Sequence, residues 1–287
     1  MSRDFDPPAE VLRDLVARAL AEDFGILGDL TSIATIPEDA HGAAAIVARR
    51  YGVLAGRAAA TEVFRQVDPT LEVEWIAADG DVIDTDQRLA LIDGNLRSIL
   101  GAERTALNLL QHASGVATLT HQYVEACAGR ARVRDTRKTL PGLRALEKAA
   151  VRAGGGFNHR ECLSDAVLIK DNHLAAMDLT AAVGRSKARW PGRIIEVECD
   201  TLAQVHEAVA AGADLILLDN MSPDDVTACV VAVDGMVPLE ISGGVNLETI
   251  SAYAGTGAEF ISVGAVTHSA PALDLALDFL FDLTAEG

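Results

Sequence analysis

Aromatic residues are scarce in this chain. Phe, Tyr and Trp make up 4% of its 287 residues, although 49% are hydrophobic. The core must therefore be filled by Ala, Val, Leu and Ile, a composition that suits helices packed on a largely parallel sheet. Cysteine is scarce too. Cys127, Cys162, Cys199 and Cys229 lie far apart and form no CxxC pair. That pattern argues against a structural zinc and fits free thiols in a reducing compartment. The seven histidines show no HxH or HExxH spacing; each reads as structural, His159 excepted. No apolar run approaches the ~18 residues that would span a bilayer. In the opening MSRDFDPPAE no apolar stretch follows a basic one. Neither a membrane segment nor a signal peptide is expected, and the cytoplasm is the expected location.

Positive charge is in short supply as well. Lys and Arg number 24 against 42 Asp and Glu, for a net charge of −18. An acidic exterior argues against nucleic acid as a partner, because that needs a broad basic face. Yet the span from Arg130 to His173 holds ten Lys or Arg against five Asp or Glu. Its centre is RVRDTRKTLPGLR, residues 132–144. Such a compact basic island suggests a small anionic ligand; the plainer explanation is a solvated basic helix face.

The second half has a rhythm. Short β-rich runs begin at Arg132, Ala166, Ile194, Leu215, Val237 and Phe260, the last four 21, 22 and 23 residues apart. Ala-rich segments of helical period separate them. Strands alternating with helices at this spacing read as βα units around a parallel sheet. Six units are visible rather than eight, so the expected architecture is an incomplete, six-stranded α/β barrel. Each run is apolar in its body and polar at its C-terminal end, which carries in turn Arg137 and Lys138, Lys170, Glu198, Asp219, Ser242 and Gly264. That edge is where α/β barrels build their sites.

The first half differs. PPAEVLRDLVARALAED reads as a helix with Pro8 near its start. Strands follow, with turns at Tyr51-Gly52, Asp79-Gly80 and Asp93-Gly94. A long helical pattern runs from Leu96 to Cys127, with a break near Ser114-Gly115. The expected division is an N-terminal α/β domain over 1–114 and a barrel over 115–271. Residues 272–287 are expected to pack back on the first domain, as a helix in PALDLALDFLFDL.

Within the basic island, Arg137 and Lys138 are expected to end a strand, and Pro141 to enter the first turn of a helix stopped by Gly154-Gly155-Gly156. Arg144, Lys148 and Arg152 lie four apart on one helix face. They either line the site in part or pair with Glu147 and other acids at an interface, the second being favoured. His159, Arg160 and Lys170 can converge with Arg137 and Lys138. Two guanidiniums and two ammoniums around one pocket imply a ligand with more than one anionic group. ISGG (Ile241–Gly244) and VGA (Val263–Ala265) are small-residue loops of the kind that bind phosphate at helix starts. Glu198 and Asp219, between the two regions, can hold sugar hydroxyls, a magnesium ion or a developing cation, or neutralise Lys170 and Arg160.

At this point the motifs become specific. RDTRKTLPGLRALEKAAVRAGGGFNHR followed by DAVLIKDNH resembles the quinolinate phosphoribosyltransferase family. LLDNMS, LEISGG and VGAVTHS match it in order, as do DLTS and ERTALNLL upstream, and no motif position departs. The resemblance covers essentially the whole chain. It implies an N-terminal α/β sandwich, the six-stranded barrel, and decarboxylating transfer of phosphoribose to quinolinate. It implies a homodimer or larger assembly in which Arg104 of the ERT motif reaches the partner's substrate. Thr136, Arg137, Lys138, His159, Arg160 and Lys170 would surround quinolinate. Glu198 and Asp219 would face the ribose and its magnesium, directly or through water. Ser242, Gly243 and Gly244 would hold the phosphate together with Val263, Gly264 and Ala265. Lys138, Lys170, Glu198 and Asp219 are the expected catalytic residues, with Lys138 or His159 supplying a proton to ring carbon 2. The rivals are a paralogue of the same fold acting on another acid, the non-decarboxylating nicotinate phosphoribosyltransferase, and a non-catalytic phosphate-binding module.

Overall fold

The computed structural model describes residues 5–280. Pro8 caps α1 (Ala9–Phe24), where its missing N–H is no loss. Leu12, Leu15, Val16 and Leu20 repeat at helical spacing and are buried. Asp29 caps the short α2 (Leu30–Thr35) by accepting from the N–H groups of Thr31 and Ser32, each at 3.1 Å. Then come β1 (His41–Ala48), β2 (Gly52–Val53), α3 (Arg57–Val67), β3 (Glu72–Trp75), β4 (Val82–Ile83), β5 (Arg88–Asn95) and α4 (Leu96–Cys127). The rest of the chain alternates: β6 (Arg132–Arg134), α5 (Arg144–Ala153), β7 (Val167–Ile169), α6 (Asp171–Leu174), α7 (Leu179–Arg189), β8 (Ile195–Cys199), α8 (Leu202–Ala211), β9 (Leu215–Asp219), α9 (Pro223–Val233), β10 (Leu239–Ser242), α10 (Ile250–Ala254), β11 (Phe260–Ser262), α11 (Ala265–His268) and β12 (Leu275–Phe279).

Two compact units result. Of the described residues, the first unit takes those up to Leu119, Leu140–Gly155 and those from Ala270; the second takes Thr120–Thr139 and Gly156–Ser269. Expectation and structure differ here, because α5 belongs with the first unit rather than with the barrel. The first unit is built on an antiparallel sheet of order β12-β1-β5-β3. The second is a six-stranded parallel sheet of order β6-β11-β10-β9-β8-β7. Its first strand lies beside its last, and among the described residues no ladder joins β6 to β7. This is an incomplete α/β barrel, its open side narrowed by a bridge between Arg134 and Phe157.

Four local expectations are corrected. The tail is a strand, not a helix: Leu273, Leu275, Leu277 and Phe279 recur every second residue, and β12 pairs with β1. The remainder of that stretch, 281–287, lies outside the described residues. Asp93-Gly94 is not a turn but part of β5, where Gly94 faces Gly42 and a Cβ would meet the Leu71 side chain at 2.6 Å. Helix α4 is unbroken at Ser114-Gly115. Gly115 is small because the chain at Pro271 and Ala272 crosses it, with the Ala272 Cα 3.0 Å from where a Cβ would sit. Pro141 lies in the turn before α5, not within the helix.

Candidate functional site

In a parallel sheet, alternate residues share a face and register partners on neighbouring strands point the same way. One face of the barrel sheet carries Val133, Ile261, Leu239, Ile241, Ile216, Leu218, Ile195, Val197, Cys199, Val167 and Ile169. The other carries Arg132 and Arg134, Phe260 and Ser262, Glu240 and Ser242, Leu217 and Asp219, Glu196 and Glu198, and Leu168. The polar face ends at the carboxyl edge of the strands.

The structure brings most of the expected residues of the second unit to that edge. Arg137 and Lys138 lie three and four residues beyond β6 instead of ending it, because only Arg132–Arg134 pair with β11. Thr136 Oγ1 accepts the N–H of Lys138 at 2.9 Å, and the Lys138 carbonyl accepts from Thr267 Oγ1 at 2.8 Å. The stem of Lys138 passes Gly264 so closely that a Cβ there would be 3.1 Å from its Cδ. The 136–138 loop and the Val263–Ala265 loop are therefore neighbours. Arg160 is half-buried and donates to the Ala166 carbonyl at 3.0 Å. Burial, and then the nearby Arg137 guanidinium, push its pKa down. A guanidinium that lowers its neighbour's pKa in this way is the arrangement an anion would relieve.

Lys170, immediately after β7, pairs with Glu198 in β8. Asp219 ends β9 beside its register partner Ser242. Its carboxylate accepts from Asn220 Nδ2 at 2.6 Å, and Asn220 N donates to the Ser242 carbonyl at 2.9 Å. Gly243 has φ +90° and lies against the Asn220 side chain, so a larger residue fits neither the backbone nor the space. Gly244 is also left-handed, at φ +64°. Only the Val263–Ala265 loop runs straight into a helix, α11; α10 begins at Ile250, six residues past Gly244.

The remaining residues singled out in the sequence are placed as follows. Arg144, Lys148 and Arg152 do not form a solvated face, since none of them is exposed. They belong to the first unit, where Lys148 is fully buried and Arg152 donates to the Phe5 carbonyl at 2.9 Å. Glu147 pairs with His112 at 2.9 Å. His159 turns both ring nitrogens toward groups of its own unit: Nδ1 accepts from Arg160 N at 2.8 Å and Nε2 lies 2.9 Å from Glu196. Arg104 is exposed and belongs to the first unit. It lines a cleft of about 250 Å³ with Asp23, Phe24, Asp29 and Leu30.

Buried beneath the site is a polar cluster that sequence reasoning passed over. Arg134 and Ser262 both bond Glu240. Asp135, with no exposed surface, accepts from His159 N at 2.8 Å and Asn158 Nδ2 at 2.6 Å. Burial, and next the Glu196 charge, raise the Glu240 pKa, while Arg134 opposes the rise. The available signal was the charged residue within each apolar run, in IIEVECD and VPLEISGG.

These features define a two-unit α/β protein whose incomplete barrel gathers guanidinium, ammonium and carboxylate groups at one strand edge. Comparison with known proteins carries this further. Residues 29–114 match the N-terminal domain of quinolinate phosphoribosyl transferase and residues 116–278 match its C-terminal domain. The chain belongs to the quinolinate phosphoribosyltransferase family. It is 43% identical over 276 residues to the nicotinate-nucleotide pyrophosphorylase (carboxylating) of Mycobacterium leprae, covering 94% of this chain and 97% of that one. It is 41% identical to the probable enzyme of the same name from Bacillus subtilis, over 93% of each. Among solved structures, the nicotinate-nucleotide pyrophosphorylase of Francisella tularensis superposes with a TM-score of 0.90 at 40% identity, covering 95% of this chain and 97% of that one.

Proposed function

We propose that this chain transfers the phosphoribosyl group of phosphoribosyl pyrophosphate to quinolinate with loss of CO₂, giving nicotinate mononucleotide and pyrophosphate for NAD biosynthesis. The observation that carries this reading is the convergence at one strand edge of paired arginines (Arg137, Arg160), lysines (Lys138, Lys170) and carboxylates (Glu198, Asp219), in a chain matched by this family along both units.

Each group has a part that follows from its charge. Thr136, Arg137, His159, Arg160 and Lys170 surround the pyridine dicarboxylate. The guanidiniums bind carboxylate edges with paired donors, turning the ring nitrogen toward C1 of the sugar. That nitrogen already has its lone pair, so no general base is needed. Ser242, Gly243 and Gly244, with Val263, Gly264 and Ala265, hold the 5-phosphate. Glu198 and Asp219 face the ribose, where their charge favours the cation that develops as the C1–O bond breaks. Their hard carboxylate oxygens, set on adjacent strands, are the donor type that magnesium selects. They would hold that ion directly or through water, and it would neutralise charge on the departing pyrophosphate. Bond formation at nitrogen leaves a pyridinium. The C2–carboxylate bond then breaks, its electron pair stays on C2, and the Lys138 ammonium donates the proton there.

The reading includes a homodimer or a larger assembly located in the cytoplasm. Arg104 belongs to the first unit, and Leu30, which lines the same cleft, is exposed, as are its chain neighbours Ile26, Leu27 and Ile33. Apolar side chains grouped this way mark an interface, through which Arg104 would serve the partner's site. Mixing Arg104→Ala and Arg137→Ala chains is then expected to restore activity in hybrid dimers; confirmed heterodimers without recovery would remove the trans role. The defining experiment incubates the protein with quinolinate, phosphoribosyl pyrophosphate and magnesium. Stoichiometric CO₂ and nicotinate mononucleotide are expected. Comparable kcat/KM for nicotinate, which lacks the 2-carboxylate, would overturn the reading, because a site built around that group discriminates by ~10⁴.

A further inference from the structure

We propose that Glu196 and Glu240, buried in the barrel interior, are positioning residues: they hold His159 in one tautomer and thereby set Arg160 for the dicarboxylate substrate. The inference rests on the function proposed above.

The argument begins with protons. The Arg160 backbone N–H can only donate, and it donates to His159 Nδ1 at 2.8 Å. Nδ1 therefore carries no proton, and the imidazole proton is on Nε2. Nε2 lies 2.9 Å from Glu196 Oε2 and 3.6 Å from Glu240 Oε1. A carboxylate at each approach to Nε2 favours a proton there and leaves Nδ1 as the acceptor Arg160 requires. With the opposite tautomer, two hydrogens would meet at Nδ1 and none would face Glu196.

The lock has a foundation and an output. Glu240 is fixed by Arg134 from β6 and by Ser262 from β11. Glu196 lies one strand beyond β9, on the same face of the sheet as Glu240. The output is the segment Asn158-His159-Arg160. Its first two residues are anchored on Asp135, and the third on the His159 ring. Arg160 thus leaves the barrel interior with its backbone held, and its guanidinium is steadied by the Ala166 carbonyl. His159, Glu196 and Glu240 also have the spacing of a metal-binding set. Here, however, the Arg134 guanidinium supplies the positive charge next to the carboxylates, and the Nε2 proton occupies the position a metal would take.

The test compares wild-type protein with Glu196→Leu and Glu196→Gln. Calorimetry measures binding of quinolinate and, separately, of phosphoribosyl pyrophosphate with magnesium. Nitrogen-15 spectra of histidine-labelled protein report the His159 tautomer. Wild type is expected to show an unprotonated Nδ1 and a protonated Nε2. Glu196→Leu is expected to weaken quinolinate about tenfold, the worth of one charged hydrogen bond, and to leave the diphosphate within about twofold. Glu196→Gln, whose amide oxygen still accepts from Nε2, is expected to recover most of that affinity. Equal weakening of both ligands, or none, would overturn the proposal. So would a protonated Nδ1 in wild type, a result that stands even if the leucine variant fails to fold. Stoichiometric bound metal that Glu196→Gln loses would also overturn it. A wild-type protein that binds no quinolinate would instead refute the functional reading, and the tautomer measurement would still judge the lock.

Discussion

The two sheets of this molecule treat their interiors in opposite ways. In the first unit, Ala44 to Ala48 and Leu89, Ala90 and Ile92 are buried and almost entirely aliphatic. In the barrel, the face bearing the site sets the half-buried Arg134 against the buried Glu240, and buries His159 against Glu196. Aliphatic burial contributes roughly 25 cal/mol per Å² with no partner required. A buried ion pair loses hydration and recovers it only through good geometry, so it is weak evidence of a stabilising role. The difference teaches that the barrel keeps its interior charge for what it does to the edge above.

The strongest way to break that comparison is to remove one partner. Glu240→Ala leaves the half-buried Arg134 charge uncompensated, expected to cost about 2–3 kcal/mol, less than the loss of a partner from a fully buried pair. Replacing both, as Arg134→Met with Glu240→Leu, is expected to return stability to near wild type while quinolinate binding stays impaired. Urea denaturation read beside calorimetry checks both halves. A double variant that recovers binding along with stability would make the cluster merely structural.

A smaller effect separates the two ends of the site. Arg160→Ala removes a charged hydrogen-bond partner, worth about 1.5–3 kcal/mol, and is expected to weaken quinolinate ten- to a hundredfold. Binding of phosphoribosyl pyrophosphate with magnesium is expected to stay nearly the same. Asp219→Asn keeps the shape and deletes the charge. It is expected to lower kcat with little change in quinolinate affinity, since that charge matters most when the sugar turns cationic. If Asp219→Asn loses quinolinate as badly as Arg160→Ala, the carboxylate is a structural partner of the basic cluster.

The sequence showed the barrel well and its interior poorly, for physical reasons. Six apolar runs at near-constant spacing announce parallel strands, and all six begin within two residues of the observed starts of β6 to β11. Strand-end residues such as Lys170 and Asp219 stand out because charge follows an apolar run. Glu196 and Glu240 were hidden because inward and outward positions of a fully covered strand have no contrast of exposure to alternate. The tail was misread as a helix because LDLALDFL fits both periods, and only pairing with β1 decides for the strand. The plainer reading of the basic island, a solvated helix face, follows from the usual solvation of charge; the full burial of Lys148 overrides that prior.

The smallest expected effect concerns a partly buried acid of the first unit. Asp79 lines a cavity of about 980 Å³ with Arg57, Thr61 and Trp75. Its carboxylate accepts the Arg57 backbone N–H at 3.3 Å, while the Arg57 guanidinium lies over the Trp75 ring, 5.2 Å from its centroid. Burial pushes the Asp79 pKa up from 3.8 to about 6, against the pull of Arg57. The sign follows from the proton count. Between pH 3.8 and about 6 the folded state binds more protons here than the unfolded state does, so this group's contribution falls as pH rises through that window. Above it, the ionised carboxylate is a net cost. Asp79→Asn keeps an oxygen for the Arg57 N–H and removes the charge. It is expected to stabilise the protein by about 1 kcal/mol at pH 8, discounted for partial solvent access, and by progressively less as pH falls toward 4. Thermal unfolding of both proteins from pH 4 to 8 measures the difference. A gain that stayed constant with pH would mean that the Asp79 carboxylate is solvated and that its charge costs the first unit nothing.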